Sequence, residues 1–380
     1  MAAITDLPVA AINAMTARWI AAFGGHPTVC AGVGAWPLLA ILADVADGKA
    51  REELAAAVGI DPATGTVAGR ALIDVLDEAD GMSAALGLWS RHDVPLRSEW
   101  LAALPDGVHR DFTGDTRADQ GALDSWADEH TDGLIKKMPV QIDESIALLL
   151  ASALTVRTKW RQPFEKPRSR AGGWPLLSRT TDGVSAVRAT TTATCVRIEG
   201  DNGIDVELVI GPAGMAASDV LSEGLAIVTG AREATDGEHF PDGLPVPGVV
   251  VDRVAHTSST PQLVVDAPKF TVRASHDLLA FPEVFGLNAA RRGHPFPGIS
   301  DRALEVSDAK QDAMAEFTET GFRAAAITAV AMRLTMVRRM DEYDVRRVTV
   351  TFDRPYGFLA VHRDTGLILV AGWVTAPDAD

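Results

Sequence analysis

The sequence predicts an α+β fold, with helices concentrated in its first half and short strands after residue 174. In the first half, apolar residues recur every three or four positions, which is the period of an amphipathic helix. After residue 174 they fall instead into short segments rich in β-branched side chains. Asp-Thr-Gly at 364–366 separates the last two segments, which predicts a C-terminal hairpin.

The composition favours a single folded domain over residues 1–380. Hydrophobic residues make up 47% of the 380 positions, and no Gly/Ser-rich linker or charge block divides them. The net charge of −16 would repel nucleic acid, so we expect no such partner. No run of about eighteen apolar residues could span a membrane. The N-terminus lacks a secretion signal pattern, so we expect a cytoplasmic protein, and a monomer.

The helices are predicted in chain order from their periodicity and their breakers. Periodic apolar positions predict helices over 5–23, 36–45, 49–58, 96–104 and 121–139, the last ending near Gly133. The segment 82–90 is a strand or a short apolar turn. Residues 146–160 are apolar and become β-branched, which is typical of a central strand buried on both faces.

Short β segments follow in the second half of the chain. We predict strands within these ranges: 191–200, 204–212, 224–230, 261–274, 346–352, 356–363 and 366–375.

Searches for catalytic motifs return nothing specific. The sequence has no GxSxG elbow, no HExxH, no Walker loop and no EF-hand loop, and its nine histidines are scattered singly. Cys30 and Cys195 are the two cysteines, and we interpret both as buried free thiols. We therefore expect no bound metal and no cofactor. A function that needs no catalytic residues fits the sequence better than an enzymatic one.

The segment 319–348 changes character at its middle. Its first half is small, apolar and alternating, and its second half carries five arginines in sixteen residues. Side chains alternate along a strand, so if Phe322 faces inward, the other even-numbered residues to Met336 form an almost wholly apolar face with it. The alternative is a buried alanine-rich helix over 322–332.

Six segments of the chain resemble, in the same order and at similar spacing, the landmark segments of the serpin family, in particular bacterial-type serpins. They are DSWADEHTDGLIKKM (124–138), IALLLASALTVRTKWRQPF (146–164), APKFTV (267–272), PFPGIS (295–300), TETGFRAAAIT (318–328) and FDRPYGFLAVHRDTGLILVAGWVTAP (352–377). The resemblance implies a large central, mostly antiparallel sheet, two smaller sheets, about nine helices and an exposed reactive loop.

The resemblance also implies roles for particular residues. The reactive loop would be 319–348, with a hinge at 319–328 and a reactive bond at Thr335-Met336. Arginines offer alternative reactive bonds for a trypsin-like target: Arg333, Arg338 and Arg339. The hinge residues are Glu319, Gly321, Phe322, Ala324, Ala325, Ala326 and Thr328. Trp160 and Lys269 match the sheet-opening region, where Lys269 would pair with Glu319.

The function implied is inhibition of a serine protease that cuts the loop once. The cut loop would insert into the central sheet as a new strand. Burial of four large loop side chains would contribute about 6 to 12 kcal/mol, a sum comparable with the roughly 5 to 15 kcal/mol that stabilises a fold. The alternative is a non-inhibitory serpin fold used in binding or as a chaperone, or one recruited as an enzyme on a peptide substrate.

Three departures from the family pattern bear on this function. Where many serpins carry a polar cluster under the sheet, this chain has Ala31, Gly34, Ser152 and Gln311, which predicts apolar repacking. The hinge residue that enters the sheet first is usually small, and Phe322 there would slow insertion by about 5 to 150 fold. The loop is also longer by roughly nine residues, and the excess contains Arg338, Arg339, Arg346 and Arg347. We interpret it as a solvated, flexible extension; the alternative is an exosite or another cleavage site for a trypsin-like enzyme.

Overall fold

The computed structural model describes residues 7–105, 107–131, 133–171, 173–240, 245–323 and 343–378, with only the backbone of 166–170 and 323. The fold is α+β, as predicted, with several mostly antiparallel sheets. The described part of the chain contains eight α-helices: α1 (Val9–Ala21), α2 (Gly32–Val45), α3 (Gly48–Val58), α4 (Gly65–Glu78), α5 (Ser98–Ala103), α6 (Thr116–His130), α7 (Ala217–Val228) and α8 (Pro282–Phe285). Short 3-10 helices occupy Pro62–Thr64, Leu278–Ala280 and Ala289–Arg291.

The described strands are numbered in chain order. They are β1 (Thr28–Cys30), β2 (Met82–Arg91), β3 (His109–Phe112), β4 (Leu148–Val156), β5 (Thr158–Lys159), β6 (Glu165–Ala171), β7 (Trp174–Asp182), β8 (Val187–Ala189), β9 (Thr194–Ile198), β10 (Ile204–Ile210), β11 (Thr235–Asp236), β12 (Val249–His256), β13 (Gln262–Ala267), β14 (Phe270–Asp277), β15 (Lys310–Phe317), β16 (Gly321–Arg323), β17 (Tyr343–Thr351), β18 (Tyr356–His362) and β19 (Leu367–Val374).

The described strands form four sheets. A seven-stranded sheet has the order β1-β19-β18-β10-β9-β8-β11, and a five-stranded sheet has the order β12-β17-β13-β7-β6. A four-stranded sheet, β14-β15-β16-β5, and a three-stranded sheet, β3-β2-β4, are connected because β4 runs into β5 through Arg157 alone. We treat these last two as the halves of one split sheet.

Local chemistry explains where several helices begin and end. Asp115 caps α6, since its carboxylate accepts hydrogen bonds from the backbone N–H groups of Arg117 and Ala118. The Asp47 carboxylate accepts from the backbone N–H of Gly48, the first residue of α3, and Gly59 ends that helix with a φ of 72°, which glycine adopts without steric cost. The C-terminal hairpin β18–β19 is fully inside the core, because every residue of β19 is buried.

Two predictions from the second half of the chain need correction. Residues 224–230, predicted as a strand, lie mostly in α7, whose apolar face packs Gly224 against Val209. The predicted flexible extension of the loop is wrong for 343–348, because these residues form most of β17, with Val345 and Val348 buried.

Candidate functional site

An open slot lies between the two halves of the split sheet. β16 pairs antiparallel with both β15 and β5, so β15 and the β4–β5 segment run parallel to each other. β4 pairs along its length with β2, and β15 pairs with β14, but within the described residues no ladder joins β4 to β15. A cavity of about 810 Å³ fills the space between them. One edge of each strand is therefore free to accept a further strand.

The walls of the slot are mainly apolar. Leu38 and Leu42 of α2 line the cavity on one side. Ala127 and Thr131, in α6 and just after it, line it from the other. Successive side chains of β4 point to opposite faces of the sheet, so β4 contributes side chains to both faces of the slot. On one face, Leu149, Ala151 and Ala153 pack in a separate apolar cluster with Trp126 of α6. An inserted strand would meet apolar side chains on both faces.

The polar positions under the sheet form hydrogen bonds, and the predicted apolar repacking is wrong. The Ser152 hydroxyl donates to the Gly34 carbonyl oxygen at 2.6 Å. The Gln311 side chain clamps Ala31, accepting from its N–H and donating to its carbonyl oxygen, each at 2.9 Å. Side chains from the two slot walls therefore bind the backbone at the start of α2, which takes the place of a side-chain cluster.

The hinge segment closes the top of the slot. Phe322 pairs with Phe317 on one side and with Thr158 on the other, and it is 2% exposed. Its ring faces the core, 5.9 Å from the Phe358 ring. Gly321 lies so close to β5 that an added Cβ would sit 2.4 Å from the Thr158 carbonyl oxygen. The chain has thus already begun a new strand, and only glycine fits at that approach.

Trp160 holds the turn that precedes the hinge. Its indole Nε1 donates to the Thr318 carbonyl oxygen at 2.9 Å, and its backbone N–H donates to that of Thr320 at 3.0 Å. Its ring packs against Phe317 at 5.0 Å, and the residue is 4% exposed. Trp160 therefore fixes the turn that links β15 to β16.

The predicted pairing of Lys269 with Glu319 does not occur. No ion pair joins these two described side chains; instead the Glu319 carbonyl oxygen accepts from the Phe164 backbone N–H at 2.8 Å. The turn is held through its backbone, so a charge pair is not needed there.

The remaining predicted site residues lie outside the described part of the chain. They are four hinge residues, Ala324, Ala325, Ala326 and Thr328, the predicted reactive bond at Thr335 and Met336, and the alternatives Arg333, Arg338 and Arg339.

Arg346 and Arg347 of the predicted exosite are engaged within the protein. Arg347 forms a bidentate pair with Asp252 on the neighbouring strand, at 2.6 and 3.0 Å. Arg346 donates to the carbonyl oxygens of Glu238 and Phe240. These contacts fasten the start of β17.

Burial shifts the titration of several groups near these elements. It lowers the pKa of Arg179 to about 10, and the guanidinium lies 5.1 Å from the Phe164 ring centre. Cys30 and Cys195 are buried free cysteines, as predicted, and burial raises the pKa of both thiols. No group of three or more His, Cys, Asp or Glu suited to a metal occurs among the described residues. Nor is any helix in that part long and apolar enough to cross a membrane.

Several features of the site were missed in the sequence, among them strand β15 (Lys310–Phe317), which forms one wall of the slot. Strand β12, which covers β17, is signalled by valines between a Pro-Gly pair and a Ser-Ser-Thr-Pro segment. The Ser152 and Gln311 contacts had no local signal, because their partners lie 118 and 280 residues away.

Comparisons with known proteins agree with the fold. The family profile described as "Serpin (serine protease inhibitor)" matches residues 26–207 and 250–377. An uncharacterised serpin-like protein of Thermococcus kodakarensis is 24% identical over 76% of this chain, which spans 65% of that relative's length. One of Pyrobaculum aerophilum is 25% identical over 87% of this chain and 84% of its own. The native structure of tengpin, a thermophilic serpin, superposes with a TM-score of 0.72 at 15% identity, covering 96% of this chain and 92% of tengpin.

Proposed function

Because the chain belongs to the serpin family, we propose that it inhibits a serine protease by offering it a loop that inserts into the split sheet after cleavage. The observation that carries this proposal is the open slot between β4 and β15, with Phe322 already seated at its top. Because the strands on either side of this gap have unpaired edges, a strand that enters it can form hydrogen bonds with both.

The registers on both sides of β16 agree on where an entering strand would go. If the strand continued along the slot in the same two registers, Thr328 would lie opposite Ser152 on β4 and opposite Gln311 on β15. The same alternation that turns Phe322 inward would turn Thr328 inward as well. Thr328, the one polar residue among the even-numbered positions from 324 to 332, would thus meet Ser152 and Gln311.

The buried position of Phe322 alters the expected effect of its size. The ring is accommodated among Phe317, Thr158 and Phe358 while the slot below it is open. Its entry into the sheet is therefore complete before any cut, and it adds no steric barrier to the later steps. This supports an active insertion mechanism over a hinge blocked by phenylalanine.

The reactive bond proposed is Thr335-Met336, with Leu334 preceding it, which suits an elastase-like or subtilisin-like protease. A trypsin-like target would require Arg333, Arg338 or Arg339 at the bond. Arg346 donates to the Glu238 and Phe240 carbonyl oxygens and Arg347 pairs with Asp252, so these intramolecular contacts argue against their use as an exosite. We also propose that the protein is a cytoplasmic monomer of the bacterial type. The two serpin-like relatives named above are archaeal.

The test is to nick the loop between residues 323 and 343 and compare thermal melts of the intact and nicked protein. Insertion worth on the order of 10 kcal/mol predicts a rise in Tm on the order of 20 °C, at about 2 °C per kcal/mol for a large domain. A second arm incubates intact protein with elastase-like, subtilisin-like and trypsin-like proteases. A covalent complex that resists denaturant identifies the target class, and an unchanged Tm after nicking refutes insertion.

A second candidate function, a non-inhibitory binding protein, requires that Phe322, where the family has a small residue, prevents further insertion of the loop. Phe322→Thr separates the two candidates. If this variant forms a covalent protease complex that the natural protein does not form, phenylalanine had been preventing inhibition. If both proteins form the complex at equal rates, the binding-protein alternative loses its support.

A further inference from the structure

The turn between β9 and β10, residues 199–203, joins the seven-stranded sheet to the top of the slot. Gly200 in this turn forms an isolated antiparallel bridge with Trp160. Two backbone hydrogen bonds, of 2.9 and 3.0 Å, connect the residues on either side of Gly200 with those on either side of Trp160. The segment that carries Trp160 is therefore fastened to the seven-stranded sheet through its backbone.

Gly200 also supports a second residue at the hinge, Thr158. Thr158 pairs with Phe322 across the edge of β5. A Cβ added to Gly200 would lie 1.9 Å from the Thr158 hydroxyl oxygen and 2.1 Å from the Ile204 carbonyl oxygen, so only glycine fits there. Two of the residues that hold the hinge, Thr158 and Trp160, thus depend on the position of Gly200.

An ion pair fixes Gly200 from the opposite side. The Asp205 carboxylate accepts a hydrogen bond from the Gly200 N–H at 3.1 Å. Arg363, which follows β18, donates to the Gly200 carbonyl oxygen at 2.8 Å and forms two hydrogen bonds with Asp205, at 2.5 and 2.9 Å. Asp205 is 2% exposed. The planar guanidinium meets the buried carboxylate with two bonds, which is the arrangement in which such a pair is strong and specific in direction.

The receiving edge of β5 has to stay in place while a strand enters. β16 already pairs with β15 and with β5 at once, so the gap at this level is already wide enough for a strand. Each further residue of an entering strand needs a neighbouring edge in the correct register, because a shift of one residue turns every side chain to the other face. An edge that moves would lose this register and slow the entry.

We propose that Asp205 and Arg363 are positioning residues for loop insertion: they fix Gly200, which holds the edge of β5 in register for the entering strand. The proposal rests on the function proposed above and assigns to it two residues that act through Gly200. Supporting hydrogen bonds of this kind keep a working geometry precise without contact with the moving part.

The same strand provides a matched control. Glu207 lies two residues after Asp205 on β10 and is 1% exposed. It accepts hydrogen bonds from Arg188 of β8 and Arg197 of β9, at 2.8 and 2.9 Å. Asp205→Asn and Glu207→Gln therefore each remove one buried carboxylate charge that arginine binds, but only the first disturbs the contacts of Gly200.

A second, milder pair of variants keeps the test decisive if loss of a buried carboxylate prevents folding. Arg363→Lys and Arg188→Lys each keep a positive charge, and the two arginine side chains are 26% and 23% exposed. Lysine lacks the planar fork of arginine, so Arg363→Lys cannot contact Asp205 and the Gly200 carbonyl oxygen together. Arg188→Lys loses a bond to the Ile227 carbonyl oxygen of α7 in the same way.

The measurement is the rate of insertion after the loop is cut. Each protein is mixed with increasing concentrations of subtilisin in a stopped-flow instrument, and tryptophan emission is recorded because Trp160 lies at the hinge. The position of the cut is verified by mass. Cutting accelerates with the subtilisin concentration, so the rate that becomes independent of it is the rate of insertion. Urea unfolding of each uncut protein measures general destabilisation, which the two carboxylate variants should share.

We expect Asp205→Asn to insert about tenfold more slowly than the natural protein, since it loses charge-assisted hydrogen bonds that position the edge. Arg363→Lys should be slower by about threefold, because one bond of several is lost. Glu207→Gln and Arg188→Lys should insert at the natural rate. If Asp205→Asn does not fold, the arginine pair decides by the same comparison.

The outcomes separate this proposal from the proposed function. The proposal is overturned if the control variants slow insertion by the same factor, or if Asp205→Asn inserts as fast as the natural protein or faster. In that case a raised Tm of the nicked natural protein would leave the proposed function standing. If nicking raises no Tm in the natural protein, insertion itself fails, and the role of Asp205 and Arg363 fails with it.

Discussion

The two ends of the predicted loop are held in opposite ways. At the proximal end, β16 makes two residue pairs with β15 and two with β5, above the slot. At the distal end, β17 makes eight pairs with β12 and five with β13. The proximal end can lengthen by adding pairs, since its neighbours offer free edges. The distal end is paired on both edges from Arg347 to Val350, so this part of β17 can only lose pairs.

This difference teaches how one segment can be both anchored and ready to move. Phe322 contributes burial at the proximal end and few ladder bonds, so continuing the strand adds to a contact that already exists. The distal end depends on a long ladder with charged side chains outside it. The strand pairing therefore favours movement at the proximal end over movement at the distal end. The following substitutions test the two ends separately.

The largest effect should come from removing the buried aromatic ring at the proximal end. Phe322→Ala deletes a side chain that is 2% exposed and packs against Phe358. We expect a loss of about 3 to 5 kcal/mol in the free energy of unfolding, measured in urea. Tyr343→Ala makes the matched change at the distal end, where the residue is 46% exposed, and should change stability by no more than about 0.5 kcal/mol. Equal losses would mean that Phe322 is not a packed anchor.

An intermediate effect is expected from the polar clamp inside the slot. Gln311→Ala leaves the N–H and the carbonyl oxygen of Ala31 without their partner. The expected cost is about 1 to 3 kcal/mol of unfolding free energy, since both groups are at the buried start of α2. Lys310→Ala, at the exposed neighbouring position of β15, serves as the reference and should cost about 0.5 kcal/mol or less. If the two variants lose the same stability, the clamp adds nothing beyond the strand itself.

Much of the fold could be predicted because its signals are local. The apolar run at 148–156 and the Asp-Thr-Gly turn at 364–366 identified β4 and the hairpin β18–β19. Alternation placed Phe322 on the same face as the small residues that follow it, and the structure turns its ring to the core. These are short-range patterns, and a strand or a turn follows from them directly.

The rest of the site depends on which distant elements meet. β12 was missed because its residues are exposed or half-buried at every position, so its valines give no clean alternation. The segment 224–230 by itself has the apolar composition of a strand, and the helical pattern becomes visible only with the preceding residues, which start α7 at Ala217. Ser152 and Gln311 bind backbone atoms of α2, and no spacing in the sequence encodes a contact between a side chain and a remote carbonyl group.

The smallest effect should come from the ion pair at the distal end. The hydrogen bond from Arg347 lowers the pKa of Asp252 below its ordinary value of 3.8. The ionised pair therefore stabilises the native state above the unfolded-state pKa, and its contribution is lost as the pH falls through the lowered native value. Because the two side chains are 35% and 43% exposed, the contribution should be only about 0.2 to 1 kcal/mol.

Asp252→Asn should remove this contribution at neutral pH and the corresponding part of the acid dependence. The measurement is the unfolding free energy of both proteins between neutral pH and pH values below about 4. The two curves should approach each other as the pH falls, and also when salt is added at neutral pH. Curves that stay parallel at all pH values would show that the pair contributes nothing to the anchor. A small convergence would mean that β17 is held chiefly by its ladder, so acid alone would not free the loop's distal end.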